Sequence, residues 1–141
     1  MRLAGRMIRV GRYWAIEVPS LGVATQGRTK REAYEMIADA IESLVNKKGF
    51  KVDVFPGKDL YFEIGTPRVG VLVALLLRRQ RSKHGLTLKE VSRRLGAKSP
   101  NTYARYEQGK SVPTIEKLSQ LLSVLSPDND FVLQESQRNP Q

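Results

Sequence analysis

Asn101, Thr102 and Arg105 lie three and four positions apart in the stretch Ser99-Pro100-Asn101-Thr102-Tyr103-Ala104-Arg105-Tyr106-Glu107. If that stretch is helical, the spacing puts them on one face. A carboxamide, a hydroxyl with a methyl, and a guanidinium are the groups that read base edges in a DNA major groove. The amide pairs with adenine, the guanidinium with guanine, and the threonine with either. Lys98, Lys110 and Arg79 are expected on phosphates, contacts that position a protein without reading sequence. Ser99, at the start of the stretch, completes the candidate set. Tyr103 and Tyr106 are three apart and are expected to face inward.

Those side chains need two short helices and a tight turn to present them, and Leu86 to Glu107 carries the signals for both. Thr87 with Glu90 has the spacing of a capping box. Leu88, Val91 and Leu95 follow at helical intervals, with Lys89, Arg93 and Arg94 facing out. Gly96 stands where a helix ends. Ser99-Pro100 restarts the chain as N-cap and first helical residue. This is a helix-turn-helix pattern. Upstream, the apolar run Val69 to Leu77 turns basic at Arg78, Arg79, Arg81 and Lys83, which favours a helix buried first and solvated later. A helix apolar all round must bury more than one face. Downstream, Pro113 opens a further helix with Ile115, Leu118, Leu122 and Leu125 on its apolar side. Phe131 to Leu133 reads as a short strand or a docked tail, and residues 134–141 as a polar, disordered tail.

The formal net charge of the 141-residue chain is +10. Residues 1–64 hold 11 Lys or Arg against 8 Asp or Glu, and residues 65–141 hold 13 against 6. The basic excess thus accompanies the helix-turn-helix, as an electrostatic footprint for nucleic acid requires. The absence of cysteine excludes a disulfide scaffold, a thiolate metal site and a cysteine nucleophile, and His84 is the single histidine. No metal site, cofactor or catalytic residue is therefore expected. Glu17 and Asp53 are the acidic residues of the first half placed on strands, too few for a two-metal nuclease. The apolar run at 69–77 is far short of the roughly 20 residues needed to span a bilayer. A cytoplasmic protein is expected.

The first half alternates differently. Arg6 to Val10 and Tyr13 to Val18 read as two strands joined by Gly11-Arg12, a two-residue loop suited to a type II′ hairpin. Pro19 ends the second strand, and Val23 to Gln26 reads as a third. Thr29 with Glu32 opens a helix running to about Asn46, with Ala33, Ile37, Ala40, Ile41 and Leu44 as its apolar stripe. Phe50 to Phe55 has the period of a half-buried strand. Between Pro56-Gly57 and Gly65-Thr66-Pro67, the five residues from Leu60 to Ile64 are candidates for an edge strand. The expected fold is an α+β unit of order βββαβ over residues 1–64, followed by an all-α DNA-binding domain over 65–141 with its core at 69–126.

Two resemblances sharpen these expectations. Tyr13-Trp14-Ala15-Ile16-Glu17-Val18-Pro19, with Thr25-Gln26-Gly27-Arg28-Thr29 and Glu32-Ala33, resembles the N-terminal domain of HicB-type antitoxins. That resemblance implies a partial ribonuclease H-like fold that blocks a small ribonuclease toxin of the HicA type. Ser20 and Arg28 stand where that family often has acidic residues, and the loop after Pro19 is shorter. Gly85-Leu86-Thr87, Val91, Leu95-Gly96, Tyr106-Glu107-Gln108-Gly109-Lys110 and Pro113 resemble the Cro/repressor (XRE-type) helix-turn-helix. Leu88 replaces a common glutamine, and the interval from Gly96 to Glu107 is one residue longer. Together the resemblances imply an antitoxin that neutralises its toxin and represses its own operon, binding double-stranded operator DNA as a homodimer or higher homo-oligomer. Trp14, on a strand, is either a core residue or a partner-facing anchor. The rival reading is a stand-alone regulator whose first domain senses a ligand or dimerises. A membrane partner is not expected.

Overall fold

The computed structural model describes residues 1–138. Its first half is a five-stranded antiparallel sheet with one helix across a face. The strands are β1 (Arg2–Val10), β2 (Tyr13–Val18), β3 (Val23–Gly27), β4 (Asp53–Pro56) and β5 (Tyr61–Gly65), and the helix α1 (Lys30–Val45) joins β3 to β4. The spatial order is β3-β2-β1-β5-β4. The Gly11-Arg12 hairpin forms as expected, with Val10 opposite Tyr13. Pro19 to Leu21 makes a single 3-10 turn.

The expected order βββαβ lacks one strand, β5, whose residues the pattern marks only as a candidate edge. β1 starts four residues earlier than the pattern suggested, and its first half pairs with β5, Arg2 opposite Gly65 and Arg6 opposite Tyr61. β5 is therefore an interior strand, and β4 is the edge. The alternation is masked at Gly5, where a β-carbon would lie 2.1 Å from the Phe62 ring. Gly5 is required because Phe62 fills the space that a side chain there would need. β4 is shorter than the alternating run, because the Val52 amide leaves the ladder and donates to the Glu42 carboxylate at 3.1 Å.

The second half is four helices: α2 (Val69–Lys83), α3 (Leu88–Arg94), α4 (Pro100–Glu107) and α5 (Ile115–Leu125). The inward sheet face (Met7, Ile16, Val18, Phe62, Ile64), the stripe Ala33, Ile37 and Ile41 of α1, and Leu72, Leu75 and Leu76 of α2 belong to one continuous core with Tyr103, Leu121 and Leu125. α2 is buried from Leu72 through Leu77. It is apolar all round because both halves of the chain pack on it, each buried leucine contributing on the order of 2 kcal/mol.

Three further expectations change. Ile115 sits on the solvent side at 74% exposure, the core-facing positions of α5 being Leu121, Leu122 and Leu125. Leu88 is 37% exposed rather than on the apolar stripe, since Val91 and the half-buried Leu95 complete the face of a helix only two turns long. The described part of the expected disordered tail is held down: the Arg2 guanidinium donates to the Ser136 hydroxyl at 3.3 Å and the Gln137 carbonyl at 3.2 Å. The Ser136 hydroxyl in turn donates to Glu63. Residues 131–133 form no strand: Phe131, 40% exposed, lines a groove with Leu3, Pro19 and Tyr61, whereas Val132 and Leu133 are each 90% exposed. Residues 139–141 of the expected tail lie outside the described residues.

Candidate nucleic-acid interface

α3 and α4 form by the local rules the sequence carries. The Thr87 hydroxyl accepts the Glu90 amide at 3.1 Å, capping α3. The helix closes where Gly96 turns left-handed at φ 68. The Ala97 amide then reaches the Ser92 carbonyl and the Gly96 amide the Arg93 carbonyl, both at 3.0 Å. This paired closure is a Schellman motif, which only glycine adopts without steric cost at that position. Ser99 accepts the Asn101 amide at 3.2 Å, and Pro100 is the first residue of α4.

α4 is held from behind. Tyr103 is fully buried, with its hydroxyl 3.5 Å from the Leu77 carbonyl. Burial, and next the charge of Glu107, push the Tyr103 phenol well above its ordinary pKa of 10.0. At the other end of α4, Glu107 receives a two-pronged ion pair from Arg81, Nε to Oε2 at 2.7 Å and a terminal nitrogen to Oε1 at 3.0 Å. The same guanidinium donates to the Leu86 carbonyl at 3.0 Å, so Arg81 ties α2, the start of α3 and the end of α4 together. Its hydrogen bonds to Glu107 raise its own pKa further, leaving it permanently charged. In the sequence Arg81 is one of a basic run and Glu107 part of the string Glu107-Gln108-Gly109-Lys110. They are 26 residues apart, so only the fold reveals the pair.

Asn101, Thr102 and Arg105 are all exposed on α4, on the side opposite Tyr103. Arg105 Nε donates to Ser111 Oγ at 3.4 Å, which leaves the outer nitrogens of the fork available. Lys98 and Lys110 are exposed before and after the helix, and Ser99 is half-buried in its capping role. Six of the seven expected residues are thus gathered around one helix.

Arg79 is not among them. Its guanidinium donates to the Leu21 carbonyl at 2.8 Å and the Gly22 carbonyl at 3.0 Å, clamping α2 to the turn after β2. Gln80 joins it through the Ser20 carbonyl at 2.6 Å, and Arg78 reaches the Leu44 carbonyl at 2.5 Å. The basic end of α2 therefore satisfies carbonyls of the sheet half instead of meeting phosphates. Sequence position cannot show this, because a guanidinium can donate to a phosphate or to a carbonyl oxygen. Conversely, Lys89 and Arg93 line a surface groove with Ala97 and Pro100 beside the start of α4. Their outward position was legible, their convergence on that groove was not.

Residues 77–126 match the helix-turn-helix family. The matched segment runs from inside α2 to the end of α5, and so takes in the ion pair, the turn at Gly96 and the whole exposed row of α4. The helix-turn-helix supports a DNA-binding transcription regulator. No curated protein matches the chain. Among the described residues, no helix is long and apolar enough to cross a membrane.

Proposed function

We propose that the chain is the DNA-binding antitoxin of a cytoplasmic toxin-antitoxin pair, acting by binding rather than catalysis. α4 reads a two-fold symmetric operator, and the sheet half, residues 1–64, masks a small HicA-like ribonuclease. The observation that carries the DNA reading is the exposed row Asn101, Thr102 and Arg105 on a helix anchored behind by Tyr103 and Glu107. Lys89, Arg93, Lys98 and Lys110 flank that row and supply phosphate contacts. Val112 and Ile115, 71% and 74% exposed just after α4, support a homodimer in which a second copy covers them. The toxin reading rests on the HicB-like string from Tyr13 to Ala33, which in the fold spans β2, β3 and the first turn of α1.

Footprinting on the DNA upstream of the protein's own coding sequence tests the first half. Two protected half-sites about one helical turn, ~34 Å, apart are expected. Arg105→Ala is expected to cost on the order of 1–3 kcal/mol and to relax base preference at one position. A loss that is equal on every sequence would reduce Arg105 to a phosphate contact. Co-purification with the product of the adjacent reading frame tests the second half, and failure to bind or neutralise it removes the antitoxin role while leaving the operator reading intact.

One observation favours the ligand-sensing alternative. A cleft of about 320 Å³ is lined by Val45 and Lys47 of the sheet half and, from the helical half, by residues that include Val71, Leu75, Arg78 and Gln108. Because α4 lines it, a small molecule bound there would act on the reading helix directly.

A further inference from the structure

The hairpin end of the sheet carries a second concentration of positive charge, on elements other than α4. Trp14 on β2 is flanked by the Arg9 guanidinium, 5.4 Å from its ring centre, and by Lys30 Nζ at 5.0 Å. Strand register places Arg9 and Gly27 on either side of Trp14, which brings in Arg28, and Arg12 lies in the turn next to Tyr13. Arg9, Arg12, Arg28 and Lys30 are all exposed. Among the described residues none of the four has a carboxylate within ion-pair distance, whereas the neighbouring Arg31 is paired with Glu35 at 3.3 Å. Glu32, the acidic residue in the first turn of α1, is taken up by the Arg28 backbone amide at 2.7 Å.

Arg28 and Lys30 sit at the start of α1, where the helix dipole is positive and further positive charge is unfavourable. Glu32 in the first turn of α1 and the face of the Trp14 ring offset part of that repulsion. Along α1, about 14 residues of helix, ~21 Å, separate Lys30 from the Leu44 carbonyl that Arg78 of α2 holds.

We infer that this pole is a second, sequence-independent nucleic-acid surface, in which Arg9, Arg12, Arg28 and Lys30 hold a phosphodiester backbone beside Trp14. The unpaired charge selects a polyanion, and the flanking aromatic ring adds a stacking partner for a base where the strand is single. The phosphodiester chemistry is common to flanking duplex DNA and to single-stranded RNA. The surface stands whether or not α4 reads an operator.

Full-length protein and the triple variant R9A/R12A/R28A are titrated over a range of salt with a random duplex of about 30 base pairs and with an oligouridylate of about 30 nucleotides. Trp14, the only tryptophan, is the fluorescent reporter of the pole. The triple variant is expected to lose at least about tenfold in affinity, with the salt slope reduced by about 0.9 per lost contact on the duplex or about 0.7 on the single strand. The probe that shows the loss identifies the source of the backbone. The same titrations in an N101A/R105A background separate the two surfaces. Loss in both backgrounds supports the pole. Unchanged affinity and slope for the triple variant on both probes overturn it, and a loss confined to the α4 variant then leaves the operator reading standing alone. Equal thermal midpoints for the triple variant and the parent exclude misfolding as the cause of a loss.

Discussion

Arg81 is 20% exposed at its side chain and Glu107 only 6%, so removing one member leaves a largely desolvated charge without its partner. Glu107→Gln is expected to destabilise the protein by on the order of 3 kcal/mol, read as a lowered denaturant midpoint at unchanged slope. Replacing both members by apolar residues of similar volume should restore much of the loss, because the pair's cost of desolvation disappears with it. Tyr103 makes a pH prediction. Its phenol is held protonated by burial and by Glu107, so the folded state keeps a proton that the unfolded chain releases around pH 10.0. Stability from this raised pKa is fully present below the unfolded value and falls as pH rises above it. Alkaline titration of the thermal midpoint should therefore slope downward above pH 10, and Tyr103→Phe should flatten that slope while leaving the midpoint near neutrality little changed.

The helices show how far local rules reach. Thr29, Thr87, Ser99 and Thr114 each accept the amide two or three residues on, at 3.0 to 3.2 Å. Three of the four were legible as caps, since capping depends only on a short side-chain oxygen and the following turn. Ser99→Ala is expected to cost about 1 kcal/mol and to fray the first turn of α4. Because Asn101 and Thr102 lie in that turn, DNA affinity should drop with stability, and Ser99→Asp should recover the helix. β5 obeys no such local rule. Its five residues have the composition of an edge strand, and they become interior because β1 extends back to Arg2 and offers them a second ladder. With Gly5 blank in the pattern, that extension could not be read from alternation.

At the scale of the molecule, the sheet half and the helical half share one core through α2, and the polar ties of Arg78, Arg79 and Gln80 seal its edge. Trp14 lies in the sheet half and most helix in the other, so fluorescence and circular dichroism report separate halves. Coincident thermal transitions by the two probes are expected, as for a single cooperative unit. Arg79→Ala should lower both midpoints together, and a split into two transitions would show instead that the halves unfold independently.

By itself, the sequence determined the helix-turn-helix, its caps, the turn at Gly96 and the three side chains that α4 presents, because each depends on neighbours within a few residues. Only the tertiary structure decided what distant groups do to one another. It turned Arg79 from a phosphate ligand into a clamp, joined Arg81 to Glu107, made β5 an interior strand, and set Arg9 and Lys30 against Trp14. The physical reason is common to all four: a charged or apolar side chain takes its partner from whatever surface folding brings near, and its type alone does not say which.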